Sequence, residues 1–246
     1  MSLREAARAA GKVPASVRGL PLRICVFLVA VAVVPLSTTG ASGAASAGAQ
    51  RPLATAVMAP AEFGAADKTA YQHARAAGAT YVRLVLSWST IAPRNRGAGF
   101  NSRSPSDPRY DWRDADRSIR GAIAQGLQPI VGFMGAPPWA QVGAQGRSDD
   151  GPARPSASTV GDFATALARR YSGSFRDLPR VGYWQVWNEP NISPFLVPQF
   201  VNGAPASPEL YRGMVNAMAR AVHAVHRDNV VVAGGLAPFG GSSNDP

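Results

Sequence analysis

The chain of 246 residues carries 25 basic and 15 acidic side chains, a formal charge of +10, with 46% hydrophobic residues and a single cysteine. That length suits one domain or slightly more, and one cysteine excludes a disulfide framework or a cysteine metal site. The arginines are scattered, without a run of five, an RNP-like pattern or zinc-finger spacing, so the charge reads as a solvated surface and nucleic acid is not an expected partner.

Residues 1–23 hold Arg4, Arg8, Lys12, Arg18 and Arg23 against one acid, Glu5. An apolar core follows over 24–36, then small residues over 37–49 with A-x-A sites at 45–47 and 47–49. Basic region, short apolar core and small-residue tail predict a secretory signal over 1–47, ahead of a domain over 48–246, and hence a secreted protein. The core is shorter than the roughly 20 residues a span needs, so no stable membrane span is expected after cleavage. Cleavage would remove Cys25, five basic residues and one acid, leaving a charge of +6.

Apolar, β-branched runs then begin near Leu53, Thr80, Gln128, Val181 and Asn229. Between them, helical patterns cover 67–77, 112–126, 159–171 and 207–227. Gly78 and Gly126 suit the left-handed position after a helix. Ser207-Pro208-Glu209 offers a cap, a first-turn proline and an acid at the positive helix end. Leu210, Met214, Ala217, Ala221 and Val225 share one face, expected against the sheet. Strands alternating with helices predict βαβ units and a parallel sheet. The loops after strands are long: 87–110, 135–158 and 191–206. Their middles at 94–103 and 144–154, poor in aromatics, read as unstructured decoration.

The run 181–187 is short, aromatic-rich and bounded by Pro179 and Pro190, which predicts a buried strand. Pro190 has no N–H for a ladder and stops it. Asn188 and Glu189 therefore lie side by side where a strand ends. An unpaired acid is costly there, and at the carboxyl end of a barrel strand it reads as catalytic.

The tetrapeptide Trp187-Asn188-Glu189-Pro190, followed by Asn191, resembles the acid/base motif of the clan A glycoside hydrolases. That clan includes the family 5 cellulases and mannanases and the family 39 xylosidases, built on (β/α)8 barrels. The residues 81–88 with Ile91-Ala92-Pro93 look like its second strand, 126–134 with Pro137-Pro138-Trp139-Ala140 like its third, and the run from Asn229 like its fifth. The resemblance covers about residues 53–237. It implies an α/β fold of the (β/α)8 TIM-barrel type and retaining, two-carboxylate hydrolysis of a β-linked poly- or oligosaccharide. Glu189 would be general acid/base and Asn188 would bind the sugar 2-hydroxyl. Arg83 would orient carboxylates, with a structural ion pair as the alternative. Trp88 and Trp139 would be sugar platforms, with packing under a loop as the alternative. No metal and no cofactor is implied.

The units average about 44 residues, so eight would need on the order of 350. Five strands are expected here, a barrel truncated after the fifth. The clan's nucleophilic Glu, at the end of the seventh strand, is absent from this chain. The chain is therefore expected to be inactive alone and to self-associate through open sheet edges. The rival readings are a non-catalytic carbohydrate-binding or vestigial half-barrel protein, and an exported structural or interaction protein. After residue 47 the glutamates are Glu62, Glu189 and Glu209. Glu62 reads as a surface acid near the same mouth, and Glu209 as a helix first-turn acid. Tyr183 and Gln185 read as barrel interior, on one face with Trp187 and Glu189 by strand alternation. His73 lies in a helix. His223 and His226, spaced i, i+3, lack a third ligand and read as exposed histidines.

Overall fold

The computed structural model describes residues 53–143 and 154–238. The expected signal over 1–47, and the start of the domain at 48, lie outside them. In chain order the elements are β1 (Ala56–Val57), α1 (Pro60–Gly64), α2 (Lys68–Ala76), β2 (Tyr81–Ser87), α3 (Trp88–Ile91), α4 (Arg113–Ala124), β3 (Gln128–Met134), α5 (Ala157–Arg170), β4 (Tyr183–Val186), β5 (Phe200–Val201), β6 (Ala204–Pro205), α6 (Ser207–Val225) and β7 (Val230–Val232). A 3-10 turn, Pro138–Ala140, follows β3. The main sheet runs β1-β2-β3-β4-β7, and every neighbouring pair is parallel. Helical segments join each strand to the next. This is the order of consecutive βα units in a (β/α)8 barrel, with five strands in the main sheet among the described residues and β5 and β6 forming a separate two-stranded sheet.

Local chemistry sets the helix ends. Asp67 caps α2 by accepting from the Thr69 N–H at 2.8 Å. Ser156 caps α5 by accepting from the Thr159 N–H at 3.1 Å. Gly78 (φ 87°) and Gly126 (φ 71°) take the left-handed conformation that stops α2 and α4. At α6 the expected Ser207 cap is corrected: Ala206 is the cap residue, and no side chain caps the helix. Ser207 is itself buried in the first turn. Glu209 pairs with Arg212 one turn on. Among the described residues no helix is long and apolar enough to cross a membrane.

The two sheet faces differ. On one, Val82, Leu84, Leu86, Val131, Phe133, Trp184 and Val186 are buried; α4 packs against β2 and β3, and α6 against β4 and β7. Helices α5 and α6 lie close, because a Cβ at Gly161 would already sit 3.5 Å from the Ala217 Cβ. Ala217 thus meets α5, where the sheet was expected. The other face, with Tyr81, Arg83, Val85 and Ser87 of β2, is only half-buried.

The first long loop is a packed structure, which corrects the expectation for 94–103. Phe100 is buried between Tyr110 (ring centroids 5.1 Å) and Trp139 (5.5 Å). The Tyr110 hydroxyl donates to the Ser102 carbonyl at 2.7 Å, and the Trp112 indole to the Pro105 carbonyl at 3.1 Å. Arg109, chelating Asp107, holds that carboxyl well below the usual carboxylate range. Most of the stretch at 144–154 lies outside the described residues.

Phe163 of α5 joins this loop to the sheet. Its ring stacks on Trp88 at 5.0 Å and meets Phe133 edge-on at 5.0 Å, with Tyr110 and Trp112 each at 6.0 Å. Phe163→Ala should therefore cost about 3–5 kcal/mol, since four rigid rings cannot collapse into the space. Urea unfolding of both proteins checks this; a loss below about 1 kcal/mol would show that the ring cluster is not cooperative with the sheet.

Candidate active site

Strand β4 ends at Val186, and two of the next three residues leave the extended region. Trp187 has φ 65° and Glu189 φ 40°, both in the left-handed region that side chains avoid. Each such residue costs about 1–3 kcal/mol unless its surroundings enforce it. They do so here. The Trp187 N–H donates to the Phe133 carbonyl at 3.0 Å, and its buried indole to the Phe195 carbonyl at 3.0 Å. The Glu189 N–H donates to the Gly235 carbonyl at 2.9 Å. The end of β4 is thus stitched to β3 on one side and to the segment after β7 on the other. Strand alternation was expected to carry from Tyr183 to Glu189; it stops at Val186, and the turn positions Glu189.

Asn188 and Glu189 are half-buried beside the guanidinium of Arg83. Arg83 donates from Nη2 to Asn188 Oδ1 at 3.0 Å, from Nε to Gln185 Oε1 at 2.5 Å and from Nη1 to Met58 Sδ at 2.8 Å. To reach Gln185 it crosses β3. The β3 residue level with Gln185 is Gly132, which places no side chain in the way. All three acceptors are neutral, so the structural ion pair weighed for Arg83 is not formed by hydrogen bonding. Burial pushes the Arg83 guanidinium below its ordinary value, and the nearby Glu189 carboxylate acts in the opposite direction.

A second layer holds this group. Gln185 Nε2 donates to the Gly234 carbonyl at 3.0 Å. Gly235 (φ 90°) passes so near that a Cβ would lie 3.1 Å from Gln185 Nε2. The Tyr211 hydroxyl of α6 accepts from the Gly234 N–H at 3.1 Å and lies 3.3 Å from the carbonyls of Val186 and Gly234. Asn191 makes two bonds to the Ala237 backbone, at 2.9 and 3.1 Å. On the same sheet face the hydroxyls of Tyr81 and Tyr183 meet at 3.0 Å.

The other candidates fall elsewhere. Trp88 is fully buried, which corrects its assignment as a sugar platform: its ring stacks on Phe163 and meets Phe133 and Trp139 in edge contacts. Trp139 is half-buried on the 3-10 turn, its indole donating to the Pro93 carbonyl at 2.7 Å, with the Arg96 guanidinium 5.7 Å from its ring. Glu62 is exposed on α1. His223 and His226 contact the carbonyls of Asn229 (2.8 Å) and Ser172 (3.1 Å). Among the described residues no three His, Cys, Asp or Glu side chains cluster to hold a metal. Tyr211 and the Gly234-Gly235 pair were missed in the sequence. The double glycine after a strand is the signal that could have found the second, while Tyr211 looks like any residue of an amphipathic helix.

The arrangement is a carboxyl and a carboxamide at the carboxyl end of the fourth parallel strand, backed by a half-buried cation. Such a group can exchange a proton and orient a hydroxyl. No family model and no curated protein matches the sequence. The structural neighbours include a family 39 glycoside hydrolase from Bacteroides cellulosilyticus WH2 (19% identity, TM-score 0.43, 73% of this chain and 31% of that one). A family 39 enzyme from Xanthomonas axonopodis pv. citri is another (15%, TM-score 0.47, 74% and 35%). The endoglucanase Cel5A from Thermotoga maritima is a third (15%, TM-score 0.42, 67% and 43%). The chain spans less than half the length of each of these structures.

Tyr211→Phe should loosen the joint between β4 and β7 at a cost of about 1 kcal/mol, read as a lower urea midpoint. Arg83→Lys should cost about 1–3 kcal/mol, because one ammonium cannot replace a planar fork spread over three acceptors. Equal stability of Arg83→Lys and wild type would show that the fork is not needed to hold Asn188 and Gln185.

Proposed function

We propose that this chain carries the acid/base half of a glycoside hydrolase site and binds β-linked poly- or oligosaccharides, as a secreted protein. The observation that carries this reading is the position of Asn188 and Glu189 at the carboxyl end of β4, with Asn188 oriented by Arg83. Glu189 protonates the leaving oxygen, and in a complete retaining cycle it then deprotonates the incoming water. Asn188 holds the sugar 2-hydroxyl, and Trp139 offers an apolar ring to the sugar. The second carboxylate of a retaining pair has no assignment among the described residues: Glu62 is exposed on α1 and Glu209 is paired with Arg212. In this reading the attacking group is not among the described residues, and self-association engages the sheet edges at β1 and β7.

An external nucleophile tests this. Azide attacking the anomeric carbon of a β-glycoside, as the bond to the leaving oxygen breaks, gives the α-glycosyl azide and an alcohol protonated by Glu189. We expect no turnover of phenyl β-glycosides in buffer, and azide-dependent turnover that Glu189→Gln abolishes. With 2,4-dinitrophenyl β-glycosides, whose leaving group needs no proton, the Gln variant should retain azide-dependent turnover. Absence of both sugar binding and azide-dependent cleavage would favour a vestigial half barrel. Turnover above a few per second without azide would reveal a nucleophile in the chain, with Glu62 the first residue to mutate.

A further inference from the structure

The 20 residues between β4 and α6, 187–206, begin at Trp187 and contain a small hairpin that the candidate acid/base machinery does not use. Strands β5 and β6 pair antiparallel, Phe200 with Pro205 and Val201 with Ala204. The turn residues Asn202 (φ 50°) and Gly203 (φ 77°) both take positive φ. An Asn-Gly pair in that conformation is the preferred two-residue hairpin turn, matched to the twist of its strands.

A hairpin this short is not stable by itself. Its base is held by Gln199, a buried side chain whose Nε2 donates to the Pro190 carbonyl at 3.0 Å and the Leu196 carbonyl at 2.7 Å. The Gln199 carbonyl accepts from the N–H groups of Ala206 at 2.7 Å and Ser207 at 3.3 Å, which locks the hairpin to the start of α6. The hairpin is therefore fixed to the carbonyl of Pro190, the residue that follows Glu189. It nevertheless leaves apolar side chains in water: Phe200 is 37% and Val201 50% exposed. Buried anchoring combined with an exposed aromatic ring is a costly way to close a loop and a suitable way to present a flat apolar contact.

We infer that Phe200, with Val201, is the contact for the leaving group of the glycoside, and so determines which leaving groups the site accepts. This rests on the proposed role of Glu189. The group that Glu189 protonates is the leaving oxygen, and the hairpin is fastened to the residue next to the proton donor. The chemical class favoured is a leaving group with a flat apolar face: an aryl ring or the C–H face of a second sugar.

The test compares binding of phenyl and methyl β-D-glucopyranoside, and of the corresponding β-D-xylopyranosides, by saturation-transfer NMR titration. Wild type should bind the phenyl member of a pair more tightly. Phe200→Ala should weaken phenyl glycosides about fivefold and leave methyl glycosides within twofold. Phe200→Tyr should restore the preference, and an unchanged thermal midpoint for Phe200→Ala would show that the fold is intact. A phenyl-to-methyl ratio unaltered in Phe200→Ala, with both sugars still bound, would overturn this inference alone. Failure of wild type to bind any of the four would overturn it together with the reading of Glu189.

Discussion

One half-buried cation organises the carboxyl end of this sheet. The Arg83 guanidinium loses hydration on entering the half-buried face, and it recovers hydrogen bonds from three neutral acceptors on different segments: Met58 after β1, Gln185 in β4 and Asn188 beyond it. A guanidinium left unpaired in that position would be costly. Gly132, level with Gln185, leaves that side of β3 without a side chain; a Cβ there would already meet the Gln185 carbonyl at 3.4 Å and its Cβ at 3.6 Å. Gln185 in turn needs the Gly234 carbonyl, and Tyr211 fastens that glycine to the end of β4. Four segments thus converge on one charge: β2 itself, the residue after β1, the end of β4 and, through Gln185, the segment after β7.

The same network explains the backbone of Trp187 and Glu189. Two residues in the left-handed region around one asparagine would relax if they were free. Bonds to Phe133 and Gly235 oppose relaxation from the two sides, and the Trp187 indole is anchored in the core. The turn directs Asn188 back to Arg83 and leaves the Glu189 carboxyl without a side-chain hydrogen bond to another described residue. The asymmetry matters for chemistry: a carboxamide held in place is suited to orienting a hydroxyl, and a carboxyl without competing donors is suited to handing over a proton.

Much of this was legible in the residues. The five runs and four long helices appear within a few residues of where period and punctuation put them, from β3 starting at Gln128 to α6 starting at Ser207. Parallel strands covered by helices write their burial into β-branched and aromatic runs, and helix ends write theirs into Asp67, Gly78 and Gly126. Arg83 was legible as a strand arginine in need of partners. Its particular partners were not, because Gln185 lies 102 positions away and register, more than local pattern, brings it near. Trp88 was read as facing a ligand because a tryptophan after a strand looks the same whether its face is open or covered; only Phe163, 75 positions on, decides that. The hairpin was legible and was passed over: Asn202-Gly203 is a strong local signal, hidden inside a segment read as one loop.

These differences follow a physical division. Elements whose stability comes from local hydrogen bonds and one-sided burial can be read from short windows. The site depends on contacts between segments, each of which tolerates many residues locally and admits few once the others are in place. Gly235 shows the distinction. Its φ of 90° already strains any side chain, and the 3.1 Å approach of a Cβ to Gln185 Nε2 would also push the amide that holds Arg83 by a few tenths of an ångström. The backbone itself forms the wall of the site at that point, and its chemistry is invisible to side-chain pattern. Glu189 is held there through its backbone, its N–H donating to the Gly235 carbonyl, so the main chain from which its carboxyl projects is fixed by a residue that has no side chain.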